Sequence, residues 1–218
     1  MRVAPSMCGT QAPRPLASLE STLRTGQASD PEARVRTRAG SYPYPAFMRS
    51  PLQPDAVSVA VITVSDRSAR GERKDTSGPK AIRALEESGF RAIGDGLVTD
   101  GADSVRDGIE RSVERGFDVI LTLGGTGVGP RDQTPEGTRS LIDHELPGIC
   151  EGIRAEGAKT VPTAALSRGL AGISRPSAAG HRAVIVNLPG STGAVRDGVR
   201  YLTPLLPHLV DQLRGGDH

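Results

Sequence analysis

Residues 57–64 read Val-Ser-Val-Ala-Val-Ile-Thr-Val, and residues 119–129 read Val-Ile-Leu-Thr-Leu-Gly-Gly-Thr-Gly-Val-Gly. Each opens as a short β-branched apolar run, the pattern of a strand covered on both faces. Between them the apolar spacing changes. A helix is expected over about 78–88, with Pro79 in its first turn, Ile82 and Leu85 on one face and Gly89 at its end. Residues 90–98 read as a weaker strand. A second helix, capped by Asp103, sets Val105, Ile109 and Val113 four apart and closes at Gly116. This strand–helix–strand–helix–strand order implies a parallel sheet with right-handed crossovers. The fold class is three-layer α/β/α with a mostly parallel central sheet.

Farther along, Thr134-Pro135-Glu136 has the form of an N-cap, a first-turn proline and an acid matched to the helix dipole. Residues 183–188 form another buried strand. Helices are expected over about 194–202, ending before Pro204, and then through Leu209, Val210 and Leu213 to Gly215. In the other direction the pattern dissolves. Residues 1–56 hold 8 of the 17 prolines and seven arginines against four acids, with apolar residues in no period. Such a segment buries too little surface to offset its ordering entropy and is expected to be a largely disordered tail. Tyr42-Pro43-Tyr44-Pro45-Ala46-Phe47, with three of the six aromatics, either docks on the domain or a neighbouring subunit or is sticky linker. Residues 57–218 balance 20 basic against 21 acidic side chains and read as one domain. A chain of that size buries roughly 70% of its unfolded surface.

Composition removes several classes. The formal charge is only +2, against a dedicated nucleic-acid or membrane-surface binder. Arg outnumbers Lys 24 to 3, but no aromatic stacking platform accompanies the arginines. Cys8 and Cys150 cannot make a disulfide framework or a Cys-rich zinc site, so a reduced, cytoplasmic setting is expected. No apolar run approaches the ~18 residues that span a bilayer, and the N-terminus lacks a signal-type stretch. His144, read as part of a helical stretch, and His181, His208 and His218 have no metal-ligand spacing.

The strand ends carry the chemistry. In open parallel sheets ligands bind beyond the carboxyl ends. Here those ends are Ser65-Asp66, Thr99-Asp100, the run from Gly124 to Pro135, and Asn187-Leu188-Pro189-Gly190-Ser191. Gly124, Gly125, Gly127 and Gly129 let backbone N–H groups approach an anion, and the helix near Pro135 adds its positive end. A tight turn would use the same glycines. Arg131-Asp132 beside them supplies a cation for phosphate and a carboxylate for magnesium, and Asp100 is either a second carboxylate for that ion or a loop cap. The spacing is not Gly-x-x-x-x-Gly-Lys-Ser/Thr, Gly-x-Gly-x-x-Gly or Gly-x-Ser-x-Gly, against a P-loop, a dinucleotide fingerprint and a nucleophile elbow.

Taken together, Val64-Ser65-Asp66, Thr122-Leu123-Gly124-Gly125-Thr126-Gly127, Arg131-Asp132-Gln133-Thr134-Pro135-Glu136, Leu166-Ser167-Arg168 and Asn187-Leu188-Pro189-Gly190 resemble, in order, the MoaB/Mog family of molybdenum cofactor biosynthesis proteins. The resemblance covers about residues 57–213. It implies an α/β/α domain, usually trimeric, that binds molybdopterin and, in the adenylyltransferases, adenylylates it with Mg-ATP, releasing pyrophosphate. By resemblance Asp100 and Asp132 are the catalytic, magnesium-organising acids. Gly125, Thr126 and Gly127 would cradle phosphate, Ser167 would contact the pterin's phosphate end, and Asp66, Asn187, Pro189, Gly190 and Ser191 would line the remainder. For Ser167 a turn-capping role is equally open. A homotrimer or higher homo-oligomer and other molybdenum cofactor enzymes are the implied partners. The alternative is a non-catalytic molybdopterin-binding or scaffold protein of the short MoaB branch.

Overall fold

The structure, a computed structural model, describes residues 52–216. Most of the expected tail, including the cluster Tyr42-Pro43-Tyr44-Pro45-Ala46-Phe47, lies outside the described residues, as do Cys8 and His218.

The first two apolar runs are β1 (Ser58–Val64) and β3 (Val119–Leu123), with β2 (Arg91–Val98) beyond β1. With β4 (Ile142–Glu145), β5 (Ala171–Ser174) and β6 (Val184–Leu188) they form one six-stranded sheet, order β2-β1-β3-β6-β5-β4. The strands β2, β1, β3 and β6 are mutually parallel, and β5 runs antiparallel to both its neighbours. All five residues of β3 and of β6 are buried, as strands covered on both faces require.

Alternation sorts these side chains to two faces. Val59, Val61, Leu121, Val184 and Val186 pack on one face with α2 (Ser77–Glu87), α5 (Pro147–Ala158), α6 (Thr192–Leu202) and α7 (Leu206–Leu213). Ala60, Ile62, Ile120 and Ile185 point the other way, onto Val105, Ile109 and Val113 of α3 (Ala102–Glu114). Each large side chain fully buried here contributes ~1.5–3 kcal/mol. The register pairs Thr63 with Leu123 and Leu123 with Leu188, so three central strands end level. That shared edge is where the site forms.

Local readings shift in four places. A short helix, α1 (Asp66–Ala69), occupies part of the loop after β1, because the Ser65 hydroxyl accepts from the Ser68 amide and caps it. Asp103 does not cap α3: Gly101 holds the N-cap position and Asp103 lies in the first turn. Thr134 does not cap α4 (Thr134–Arg139) but is its first residue, because its hydroxyl donates to the Gly124 carbonyl instead of serving the helix amides. His144 stands on β4, exposed, and not on a helix.

The excursion from β4 through β5 left little trace in the sequence. Only Ile142 of β4 is buried, and α5 carries three glycines. Only nine residues join β5 to β6, too few for a parallel crossover. Among the described residues no helix is long and apolar enough to cross a membrane.

Candidate functional site

The loop leaving β3 is shaped by close approach. Gly124 and Gly125 have φ of 116° and 61°; a Cβ on the first would strike the Val64 carbonyl oxygen and one on the second the Thr134 hydroxyl. Only glycine fits both demands. Thr134 fastens the turn, its hydroxyl donating to the Gly124 carbonyl (2.9 Å) and its amide to that of Gly125 (3.0 Å). Arg168 straps the far end: its backbone amide donates to the Thr126 carbonyl (2.8 Å), its Nε to that of Gly127 (2.7 Å) and its Nη2 to that of Asp132. The same guanidinium pairs with Glu136 and holds that carboxyl below the usual carboxylate range. With its carbonyls so occupied, the loop keeps its N–H groups outward. Among the described residues the amides of Gly125, Thr126, Gly127 and Val128 donate to no protein acceptor.

The two acids flank this loop. Asp132 Oδ2 accepts from the Gly129 amide (2.9 Å), and a Cβ on Gly127 would lie 2.9 Å from the same oxygen. Asp100 Oδ1 lies 3.4 Å from where Gly125 would carry a Cβ. Asp100 is also locked to Asp66: the Asp66 amide donates to Asp100 Oδ2 (2.9 Å) and the Asp100 amide to Asp66 Oδ1 (3.1 Å). Arg131 reaches back from the loop to Asp66 Oδ2 at 2.6 Å. One oxygen of each flanking acid, Asp100 Oδ1 and Asp132 Oδ1, has no partner among the described residues. No three His, Cys, Asp or Glu side chains among those residues make a metal-holding set by themselves.

Beside the loop opens a cavity of about 450 Å³. Gly125, Thr126, Gly127, Asp132, Ser167, Pro189, Gly190 and Ser191 all line it. Ser167 Oγ donates to Thr126 Oγ1 at 3.3 Å, while Ser191 also caps α6 through the Ala194 amide. Asp66 and Asp100 are not in the cavity wall. Nor is Asn187, which is buried and donates to both Thr122 and Thr138 hydroxyls at 2.9 Å while accepting from the Leu170 amide. Its geometry is that of a clamp holding β6, β3 and α4 in position behind the site.

Several contributors escaped the sequence reading. The task of Arg168 is one of them, because a strap across 41 residues leaves no local signal. Asp75 accepts from the Thr63 hydroxyl and from the amides of Ser77 and Gly78, organising a second recess beside Ser65 and Gly190. The rest of the cavity wall joins Val161, Thr163 and Leu166, from a stretch with no period, to Arg196 and Asp197, from an expected helix whose polar side chains carry no sign of the cavity they meet.

Against known proteins the geometry has a clear home. Residues 60–208 match the family model described as "Probable molybdopterin binding domain". The chain belongs to the MoaB/Mog family. It is thus a protein of molybdenum cofactor biosynthesis. Among MoaB/Mog relatives, a molybdopterin biosynthesis protein of Mycobacterium abscessus is 42% identical with a TM-score of 0.67, over 73% of this chain and 97% of that one. A "Molybdopterin adenylyltransferase" of Pyrococcus furiosus is 37% identical over 163 residues, 74% of this chain and 94% of the relative. The "Molybdenum cofactor synthesis protein cinnamon" of Drosophila melanogaster is 40% identical over 159 residues, but the chain spans only 25% of its length. The α/β/α fold with its six-stranded, mostly parallel sheet is that of the MoaB/Mog structures.

Proposed function

We propose that the chain is a molybdopterin adenylyltransferase. A terminal phosphate oxygen of molybdopterin attacks the α-phosphorus of Mg-ATP; a new P–O bond forms, the α–β bridging bond breaks, and pyrophosphate leaves with the electron pair. The observation that carries this is the row of unengaged amides at 125–128 between two acids with open oxygens. Bringing two phosphorylated molecules together demands fixed dipoles that need no reorganisation as charge shifts. Thr134 and Arg168 supply that fixity by occupying the loop's carbonyls.

Asp100 and Asp132 fit a magnesium ion. Magnesium usually keeps several waters and takes one or two carboxylates plus substrate phosphates, so a pair of acids beside an anion cradle suffices without a third protein ligand. Bound there, the ion would neutralise triphosphate charge. Gly125, Thr126 and Gly127 hold phosphate, Ser167 contacts the phosphate end of the pterin, and Asp66 braces Asp100 through the reciprocal amide bonds. The family resemblance adds a cytoplasmic homotrimer.

Purified full-length protein incubated with molybdopterin and Mg-ATP should yield adenylylated molybdopterin and pyrophosphate in equal amounts. Molybdopterin binding without pyrophosphate release would replace the enzyme with a non-catalytic molybdopterin-binding protein of the short MoaB branch.

A further inference from the structure

The cavity is unevenly furnished. The glycine loop offers it amides and Asp132, whereas residues 157–166 bring Val161, Ala164 and Leu166 to its wall together with Thr160 and Thr163. Val161 and Leu166 stand 53% and 58% exposed, two of the few large apolar side chains left uncovered among the described residues. An apolar slot of this kind suits a flat heterocycle. Among the described residues three charged ones line the cavity: Asp132, Arg196 and Asp197. The last lies one helical turn beyond Ala194 on α6, with its side chain only 19% exposed. Arg196 meets Asp197 at Oδ1 (3.2 Å) and Arg200 approaches the same oxygen (4.0 Å). Oδ2 has no partner among the described residues.

From this we infer that Asp197 is the residue that reads the pterin ring and selects it against adenine, an inference resting on the assignment of the cavity to molybdopterin. A carboxylate only accepts hydrogen bonds. The 2-amino-4-oxo edge of a pterin presents two adjacent donors, N3–H and the 2-amino group, which a carboxylate takes as a parallel pair. The adenine edge pairs one donor, the 6-amino group, with the acceptor N1, so the same carboxylate would face a lone pair. A polar group placed for two donors rejects a ring that lacks one of them, because the mismatch leaves buried polar atoms unpaired. The slot therefore has polarity as well as shape: phosphate toward the glycine loop, lactam edge toward α6.

The test compares 6-hydroxymethylpterin monophosphate with its lumazine counterpart, in which a 2-oxo acceptor replaces the 2-amino donor, by equilibrium fluorescence titration of the full chain. The wild type should bind the pterin about 10- to 100-fold more tightly than the lumazine, as expected for loss of a charge-assisted hydrogen bond. Asp197→Asn, whose amide offers one donor and one acceptor, should abolish or invert that preference, and Asp197→Glu should partly restore it. Equal binding of both rings by the wild type overturns the proposal even if the variants fail to fold. An unchanged preference in folded Asp197→Asn overturns it as well, while leaving molybdopterin as the ligand. Wild-type protein that binds neither ring removes both the inference and the assignment beneath it.

Discussion

The two ends of the central sheet treat their acids in opposite ways. At the amino end Asp118, just before β3, is buried and fully engaged: Oδ2 accepts from the Ser58 amide (2.9 Å) and hydroxyl (2.7 Å), and Oδ1 from Arg214 (2.6 Å). At the carboxyl end Asp100 and Asp132 each keep an oxygen open beside amides that, among the described residues, have no protein acceptor. A polar cluster that satisfies itself stabilises the fold. One left incomplete around a cavity is held ready for a ligand, whose phosphates and metal complete it.

The sharpest way to break this contrast is to exchange the consequences. Asp132→Ala should lower adenylylation about 100- to 1,000-fold, the usual scale for losing a preorganised electrostatic contact, while its melting temperature stays within a few degrees of wild type. Comparable turnover would place the acid outside the chemistry. Asp118→Asn should do the reverse, costing about 1.5–3 kcal/mol in denaturant unfolding because charge-assisted hydrogen bonds are lost, with kcat and KM unaltered. A changed KM would mean that the amino edge also serves the site.

Gly125→Ala sharpens the comparison from the loop side. The added methyl must displace the Thr134 hydroxyl and hold a positive φ, so a loss of about 1–3 kcal/mol is expected from chemical denaturation. The smallest effect concerns pH. Burial pushes the Asp118 carboxyl up, but hydrogen bonds from the Ser58 amide, Arg214 and the Ser58 hydroxyl outweigh it and leave its pKa below the ordinary value. A depressed folded pKa means stability that is present above the unfolded value near 3.9 and is lost as pH falls through the folded one. Melting curves between pH 6 and pH 3 should therefore steepen downward below about pH 4, and Asp118→Asn should flatten that decline.

Legibility followed the physics of each element. The runs that became β1, β3 and β6 and the four-residue spacing of Val105, Ile109 and Val113 were plain in the sequence, because both faces of the sheet are covered and periodicity records burial. The strand β4 was not, since three of its four residues face outward. The cap assignments to Asp103 and Thr134 failed because each side chain takes another partner: the Thr134 hydroxyl the Gly124 carbonyl, and the Asp103 carboxylate the Arg106 guanidinium one helical turn on. In the site, the glycine loop, Asp132 and Ser167 could be named from residue type. Asn187 could be named too, but not its burial behind the cavity between Thr122 and Thr138.

Local chemistry alone thus determined the α/β class, the parallel core and the glycine-rich anion loop, because hydrophobic period and backbone freedom are properties of neighbouring residues. The tertiary structure decided the rest: the level strand ends, the Arg168 strap, the reciprocal bonds of Asp66 and Asp100, and the cavity that gathers Val161, Leu166 and Asp197. These depend on contacts between residues tens of positions apart, and no short window of sequence carries the distance between them.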